Sequence, residues 1–201
     1  MFFIKERMVN MRQYFNNKYN RYVYEIFSGG YYATDKKKVI ITTLLGSCVS
    51  ACLMDEKSGV AGMNHFLLPG DLRREDMIAS PSAKYGMHAM EMLINSMMKL
   101  GARRNNLKAK IFGGGHIIEA SNGAVSENNV SFIKAYLAME EIPVLAEDLG
   151  GTLGRKILLF PDNFSVYLKK VKKEHVYQRD KDILSKTQKL KDKSGELTLF
   201  D

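Results

Sequence analysis

Residues 42–69, TTLLGSCVSACLMDEKSGVAGMNHFLLP, decide how this chain folds and where its chemistry sits. The run VIITTLL, rich in β-branched side chains, enters this stretch from Val39. It leads through Gly46-Ser47 into CVSACLM, which reads as a strand. DEKSG is a polar turn ended by glycine, and GVAGMNHFLL reads as the returning strand. A turn centred between Glu56 and Lys57 sets Cys48 directly opposite His65. Facing residues of an antiparallel pair hold their Cβ atoms about 4.5–5.5 Å apart, within reach of a sulfur–imidazole hydrogen bond. Register carries this expectation, because a one-residue slip sends the two side chains to opposite faces.

Outward from the hairpin, strand patterns occupy 22–27 and 39–45 before it. A charged loop, GDLRREDMIAS, follows Pro69. Ser80-Pro81 is an N-cap followed by proline at the first helical position. Met90, Leu93, Ile94 and Met97 then repeat at helical spacing until Gly101 stops the helix. Residues 108–112 read as a strand running into Gly113-Gly114-Gly115, a tight turn rather than a phosphate loop. Ser126 is expected to cap a second helix over 127–141, ended by Ile142-Pro143. Short strands follow at 144–147, 156–160 and 166–171, the last two joined by the turn PDN. Helices and strands do not alternate regularly, which argues against a doubly wound parallel sheet. The expected class is α/β in the α+β sense. It is a single-domain layered sandwich of mostly antiparallel β-hairpins with two main helices packed on one face.

Three segments organise the chain. Residues 1–21 read as a loosely held polar extension, 22–171 as the folded domain, and 172–201 as a charged, partly disordered tail. A chain of 201 residues fits one domain and can bury a sizeable core. If both cysteines lie on one strand, Cys48 and Cys52 are separated by about 13 Å at roughly 3.3 Å per residue. A disulfide needs Cα atoms within about 7 Å. Free thiols point to a reducing compartment, hence the cytoplasm. The start, MFFIKERMVNMRQYF, lacks the apolar core of a signal peptide. No run approaches the roughly 20 apolar residues of a membrane span, so no membrane insertion is expected.

The net charge of +8 is unevenly spread. Residues 1–22 and 169–201 each carry a net +4, and the residues between them are balanced with fifteen charges of each sign. Basic ends read as solvated tails, or as contacts for an acidic partner or membrane surface. No nucleic-acid motif accompanies them, so no nucleic-acid partner is expected.

Cys48 follows the small pair Gly46-Ser47, where backbone N–H groups can turn toward a developing oxyanion. An imidazole that takes the thiol proton raises the thiolate share. His65 is the histidine the hairpin brings near, and Thr42 shares the strand parity of Cys48, so its hydroxyl or carbonyl is a candidate to hold the ring. The alternative is that Cys48 is a small buried apolar residue and His65 a satisfied core histidine. Spacing alone favours this alternative. Cys52 has no histidine partner in this register and reads as packing. Metal-ligand spacings such as HExxH or paired CxxC are missing, as is any cofactor fingerprint, so no metal and no cofactor are expected. The methionines of the first helix fill core gaps at Met90 and Met97, while the others are candidates for an adaptable partner surface.

The stretch GSCVSACLMDEKSGVAGMNHFLLP resembles the chemoreceptor glutamine deamidases, the CheD family of bacterial chemotaxis. Related features recur in SAKYGMHAMEMLINSMMKLGARRNNLKAKIFGGGHI and in IPVLAEDLGGTLGRKILLF, in the family's order, so the likeness runs from Phe27 to Lys170. The resemblance implies a catalytic cysteine after Gly-Ser, a histidine seventeen residues later and a threonine six residues before it; these are Cys48, His65 and Thr42. Gly46 and Ser47 would support the oxyanion. Departures fall at Gly115-His116 and at VSENN, 125–129. The implied activity is hydrolytic deamidation of receptor glutamines through a cysteine thioester. The implied partners are methyl-accepting chemotaxis receptors and a CheC-type phosphatase. A different class of function, a non-catalytic adaptor for receptor and phosphatase, needs no such triad.

Overall fold

The computed structural model describes residues 10–68, 80–117, 124–172 and Val176. Ten strands and two helices lie among them. The first half contributes β1 (Met11–Asn16), β2 (Arg21–Ile26), β3 (Tyr31–Thr34), β4 (Val39–Leu45), β5 (Val49–Asp55) and β6 (Val60–Asn64). The second half contributes α1 (Pro81–Lys99), β7 (Leu107–Gly113), α2 (Ala124–Met139), β8 (Val144–Leu149), β9 (Gly154–Phe160) and β10 (Ser165–Val171). One five-stranded sheet runs β1-β2-β4-β9-β10 and the other β3-β6-β5-β7-β8. Pairing is antiparallel except between β2 and β4 and between β7 and β8.

Two apolar layers hold these parts together. Val49, Ala51 and Leu53 of β5 pack with Met90, Leu93, Ile94 and Met97 of α1 and with Phe132, Ile133 and Leu137 of α2. The opposite face of β5, with Cys48, Cys52 and Met54, packs against Ile41, Leu45, Ile157 and Leu159 of the other sheet. The molecule is therefore a sheet-on-sheet sandwich with both helices on one outer face, as the patterning implied. Every residue of β5 and β6 is buried, because both faces of their sheet are covered.

Local chemistry explains the boundaries. The Ser80 hydroxyl accepts the Ala83 N–H at 3.0 Å, with Pro81 in the first turn of α1. The helix α2 begins at Ala124, so Ser126 lies inside it and does not cap it. Its hydroxyl instead donates to Gly115 O at 2.8 Å. The stretch 1–21, expected to be loose, contains β1, which pairs with β2 from Met11↔Ile26 to Asn16↔Arg21. Most of the side chains of β1 are exposed, so no apolar stripe betrayed it. The short strand β3 also escaped the sequence reading. The expected loop at 69–79 and the tail beyond Lys172, apart from Val176, lie outside the described residues.

The hairpin itself turns one residue later than expected. The Asp55 carboxylate accepts the N–H groups of Lys57 at 2.9 Å and Ser58 at 3.3 Å, and Asp55 O accepts the Gly59 N–H at 2.8 Å. This side-chain-closed turn pairs Asp55 with Val60 and Cys52 with Met63, which centres it between Lys57 and Ser58. The bridge Val49↔Phe66 keeps the same register. His65 consequently opposes Ser50, and Cys48 opposes Leu67. The displacement is two residues along the partner strand, so parity survives. Cys48 and His65 are diagonal neighbours on one face, about 7–8 Å apart at Cα, and not a directly opposed pair.

Candidate active site

Three turns of chain converge on the space between the sheets. Gly46-Ser47 link β4 to β5 and deliver Cys48, which is 1% exposed. The β5–β6 ladder opens just beside it. Asn64 inserts its side chain there, its Oδ1 accepting the Ala51 N–H at 2.9 Å, while the Ser50 hydroxyl donates to Asn64 O at 2.5 Å. His65 follows, 2% exposed. Its N–H donates to Gly30 O at 2.9 Å and its O accepts the Gly29 N–H at 2.7 Å. The backbone beneath the imidazole is thus held on both sides.

The ring's orientation and tautomer follow from one hydroxyl. Thr43 Oγ1 lies 2.7 Å from His65 Nδ1 and donates to Ile26 O at 2.8 Å. A carbonyl can only accept, and a threonine hydroxyl has one proton. Thr43 Oγ1 therefore accepts from His65 Nδ1–H. In the neutral ring the lone pair then sits on Nε2, which is buried. A carbonyl, a hydroxyl and an imidazole in series leave the ring set to receive a proton at Nε2.

The structure thus puts Thr43, not Thr42, on the imidazole. The Thr42 hydroxyl donates to Ile157 O at 2.7 Å. Parity does not carry from Thr42 to Cys48, because the strand ends at Leu45 and the Gly46-Ser47 turn intervenes. Ile41 and Leu45 face the second sheet, and Thr43, two residues from each, shares their face. Only the facing sheet, which supplies His65, could single out Thr43; no local signal separates two adjacent threonines.

The loop carrying Cys48 rests on the glycine run. Gly114 N donates to Cys48 O at 2.8 Å and Gly115 N to Gly46 O at 2.7 Å. A Cβ on Gly113 would meet Cys48 O at 2.2 Å, and its φ of +115° also disfavours any other residue. The run is a tight turn that lets β7 end directly against the loop carrying Cys48. Tyr85, in the first turns of α1 and 40% exposed, marks the rim. Burial raises its phenol pKa, and the negative charge of a Cys48 thiolate raises it further.

The other candidates are not placed for this chemistry. His88 and His116 are exposed, and His175 lies outside the described residues. Burial pushes the Cys52 thiol far above its ordinary range, against weaker opposing effects of Lys110 and Ser50. Glu147 pairs with Lys134, whereas Asp148 pairs with Arg155 and Lys170, so the two carboxylates serve separate ion pairs. Among the described residues no three His, Cys, Asp or Glu side chains converge as a metal site requires. No helix among them is long and apolar enough to cross a membrane.

The family model described as CheD chemotactic sensory transduction matches residues 67–170, just over half of the chain. The chain belongs to the CheD family. A CheD relative from Methylobacillus flagellatus, named a probable chemoreceptor glutamine deamidase, is 41% identical over 200 residues, covering 97% of this chain and 98% of its own. That overlap takes in both Cys48 and His65. The relative of the same name from Janthinobacterium sp. is 42% identical over 191 residues, 93% of each chain. A CheD 2 relative from Chromobacterium violaceum, also named a probable deamidase, is 48% identical over 168 residues, 82% of each chain. The CheD membership agrees with the resemblance read from the three sequence blocks.

Proposed function

We propose that this protein hydrolyses specific glutamine side chains of methyl-accepting chemoreceptors to glutamate, with Cys48 as nucleophile and His65 as its acid–base partner. The observation that carries the reading is the series Ile26 O, Thr43 hydroxyl and His65 Nδ1, which leaves Nε2 as a base beside a cysteine on the same face. The names of the CheD relatives supply the substrate class.

His65 Nε2 takes the Cys48 thiol proton, and the thiolate attacks the side-chain amide carbon of glutamine. The carbonyl oxygen becomes an oxyanion, which backbone N–H groups of the Gly46–Cys48 loop stabilise. His65 returns the proton to the amide nitrogen, the C–N bond breaks and ammonia leaves a thioester. Water then gives a proton to Nε2 and attacks the thioester carbon. The second tetrahedral species collapses, Cys48 leaves and recovers its proton, and glutamate is released. Thr43 holds the imidazole through both proton transfers. Thr42 supports this from β4 by tying that strand to Ile157 of β9.

Reaction on receptor cytoplasmic domains implies a cytoplasmic enzyme, in a compartment where free Cys48 and Cys52 would persist. A CheC-type phosphatase is proposed as a second partner, as the sequence resemblance implies. An adaptor would not require a buried cysteine, an oriented imidazole and a threonine built to orient it.

Incubation with a receptor cytoplasmic fragment tests the reading, with ammonia release and Gln-to-Glu conversion followed by peptide mass. The wild type should convert particular glutamines, and Cys48→Ala and His65→Ala should not. Receptor binding by a wild type that converts no glutamine would establish the adaptor instead.

A further inference from the structure

We propose that Asn129 is the positioning residue of the oxyanion site, and this rests on the deamidase reading above. It lies in α2, is wholly buried and belongs to none of the groups that exchange protons. Its side chain is fully committed. Nδ2 donates to Ser47 O at 3.1 Å and to Val125 O at 2.9 Å, and Oδ1 accepts the Leu68 N–H at 2.8 Å. Carbonyls only accept and a backbone N–H only donates, so these partners allow one orientation of the amide.

The consequence concerns the nucleophile loop. Each of its three carbonyls is held by a different donor: Gly46 O by Gly115 N, Ser47 O by Asn129 Nδ2 and Cys48 O by Gly114 N. The outer two are held by backbone, and the middle one by a side chain. In a planar trans peptide the C=O and the following N–H point in opposite directions. Holding Gly46 O and Ser47 O against the glycine run and α2 aims the Ser47 and Cys48 N–H groups away from that wall. The Ser126 hydroxyl binds the wall together by donating to Gly115 O. The peptide between Ser47 and Cys48 carries the donor nearest the sulfur, and Asn129 sets its tilt.

The same amide reaches the other half of the site. Leu68 lies three residues beyond His65, on the segment that follows β6. One buried side chain therefore references the oxyanion donor and the segment that follows His65 to the same helix. The donors it positions would act in both tetrahedral steps, since both place negative charge on the former amide oxygen.

Asn129→Asp tests this with little change of volume. The carboxylate still accepts from Leu68 N–H but presents an oxygen to Ser47 O and Val125 O. With the receptor fragment, kcat should fall roughly 10²-fold, the lower end of what losing an oxyanion donor costs, with KM within about twofold. The rate of Cys48 alkylation by iodoacetamide should stay within about twofold, because that displacement uses the thiolate and forms no oxyanion. Asn129→Ser, which keeps a small polar group inside the helix, should show the same split and serves if the aspartate variant does not fold. Full deamidase activity in either folded variant overturns the assignment, as does an equal fall in alkylation and deamidation. A wild type that converts no glutamine in the parallel assay overturns the deamidase reading and this assignment together.

Discussion

Replacing Thr43 with valine removes one hydroxyl and preserves shape. Two buried groups then lose a partner, Ile26 O and His65 Nδ1–H. Leaving a buried polar group unsatisfied costs about 1–3 kcal/mol, and a bond to a charged group contributes about 1.5–3 kcal/mol. The second figure governs the rate. In the proposed mechanism His65 becomes an imidazolium on taking the Cys48 proton, and the Nδ1–H bond to Thr43 strengthens with that charge. At 1.36 kcal/mol per factor of ten, its loss should lower kcat/KM about 10- to 150-fold. Folding stability should fall by about 1–3 kcal/mol, partly offset by the buried methyl. Thr42→Val is the matched control. It loses one hydrogen bond, to Ile157 O. A comparable loss of stability, about 1–2 kcal/mol, should come with a rate within about threefold of wild type. Ammonia release from a receptor fragment gives the rates, and urea melts give the stabilities. Thr43→Ser, which can restore the hydroxyl, should recover much of the lost rate. A Thr43→Val enzyme of full activity beside an inactive Thr42→Val would refute the assignment of Thr43 as the group that orients His65.

Two further expectations concern the thiols and the hairpin. Cys48 should react with iodoacetamide much faster than Cys52, whose thiol burial keeps protonated; peptide mapping after brief labelling reads this, and equal rates would remove the case for activation by His65. Burial alone would raise the Asp55 pKa, but backbone N–H groups of Arg103, Ser58 and Lys57 and the Asn106 side chain outweigh it and hold the carboxyl below its ordinary value. A depressed carboxyl stabilises the fold above its unfolded pKa of about 3.9, and that stability is lost as pH falls through the lower folded pKa. Asp55→Asn should therefore be about 1–2 kcal/mol less stable than wild type near pH 7, with the gap closing below about pH 4. A gap independent of pH would show that the charge contributes nothing.

Much of the architecture was legible because it is written in local patterns. Ser80-Pro81, the spacing of Met90, Leu93, Ile94 and Met97, and Gly101 delimit one helix by capping, periodicity and termination. The polar stretch after Met54 and the apolar segments around it announce the hairpin. β1 was not legible, since its side chains are mostly exposed and backbone pairing holds it to β2. The start of α2 was misplaced because Ser126 looks like a cap and instead ties the helix to Gly115.

The site divides in the same way. Sequence alone determined that Cys48 follows a small, turn-forming pair and that a hairpin returns His65 toward it, because turn chemistry and side-chain parity are local. It also separated Cys48 from Cys52 by their partners. Tertiary structure decided the rest. Asp55 closed the turn with its own carboxylate and moved the register by two residues, which made Cys48 and His65 diagonal neighbours. Packing of the second sheet chose Thr43 over its neighbour, since which face of β4 meets His65 depends on how two sheets stack. Docking of α2 brought Asn129 to a loop more than eighty residues earlier. Each of these choices is a contact between segments far apart in the chain, and local propensity does not encode such contacts.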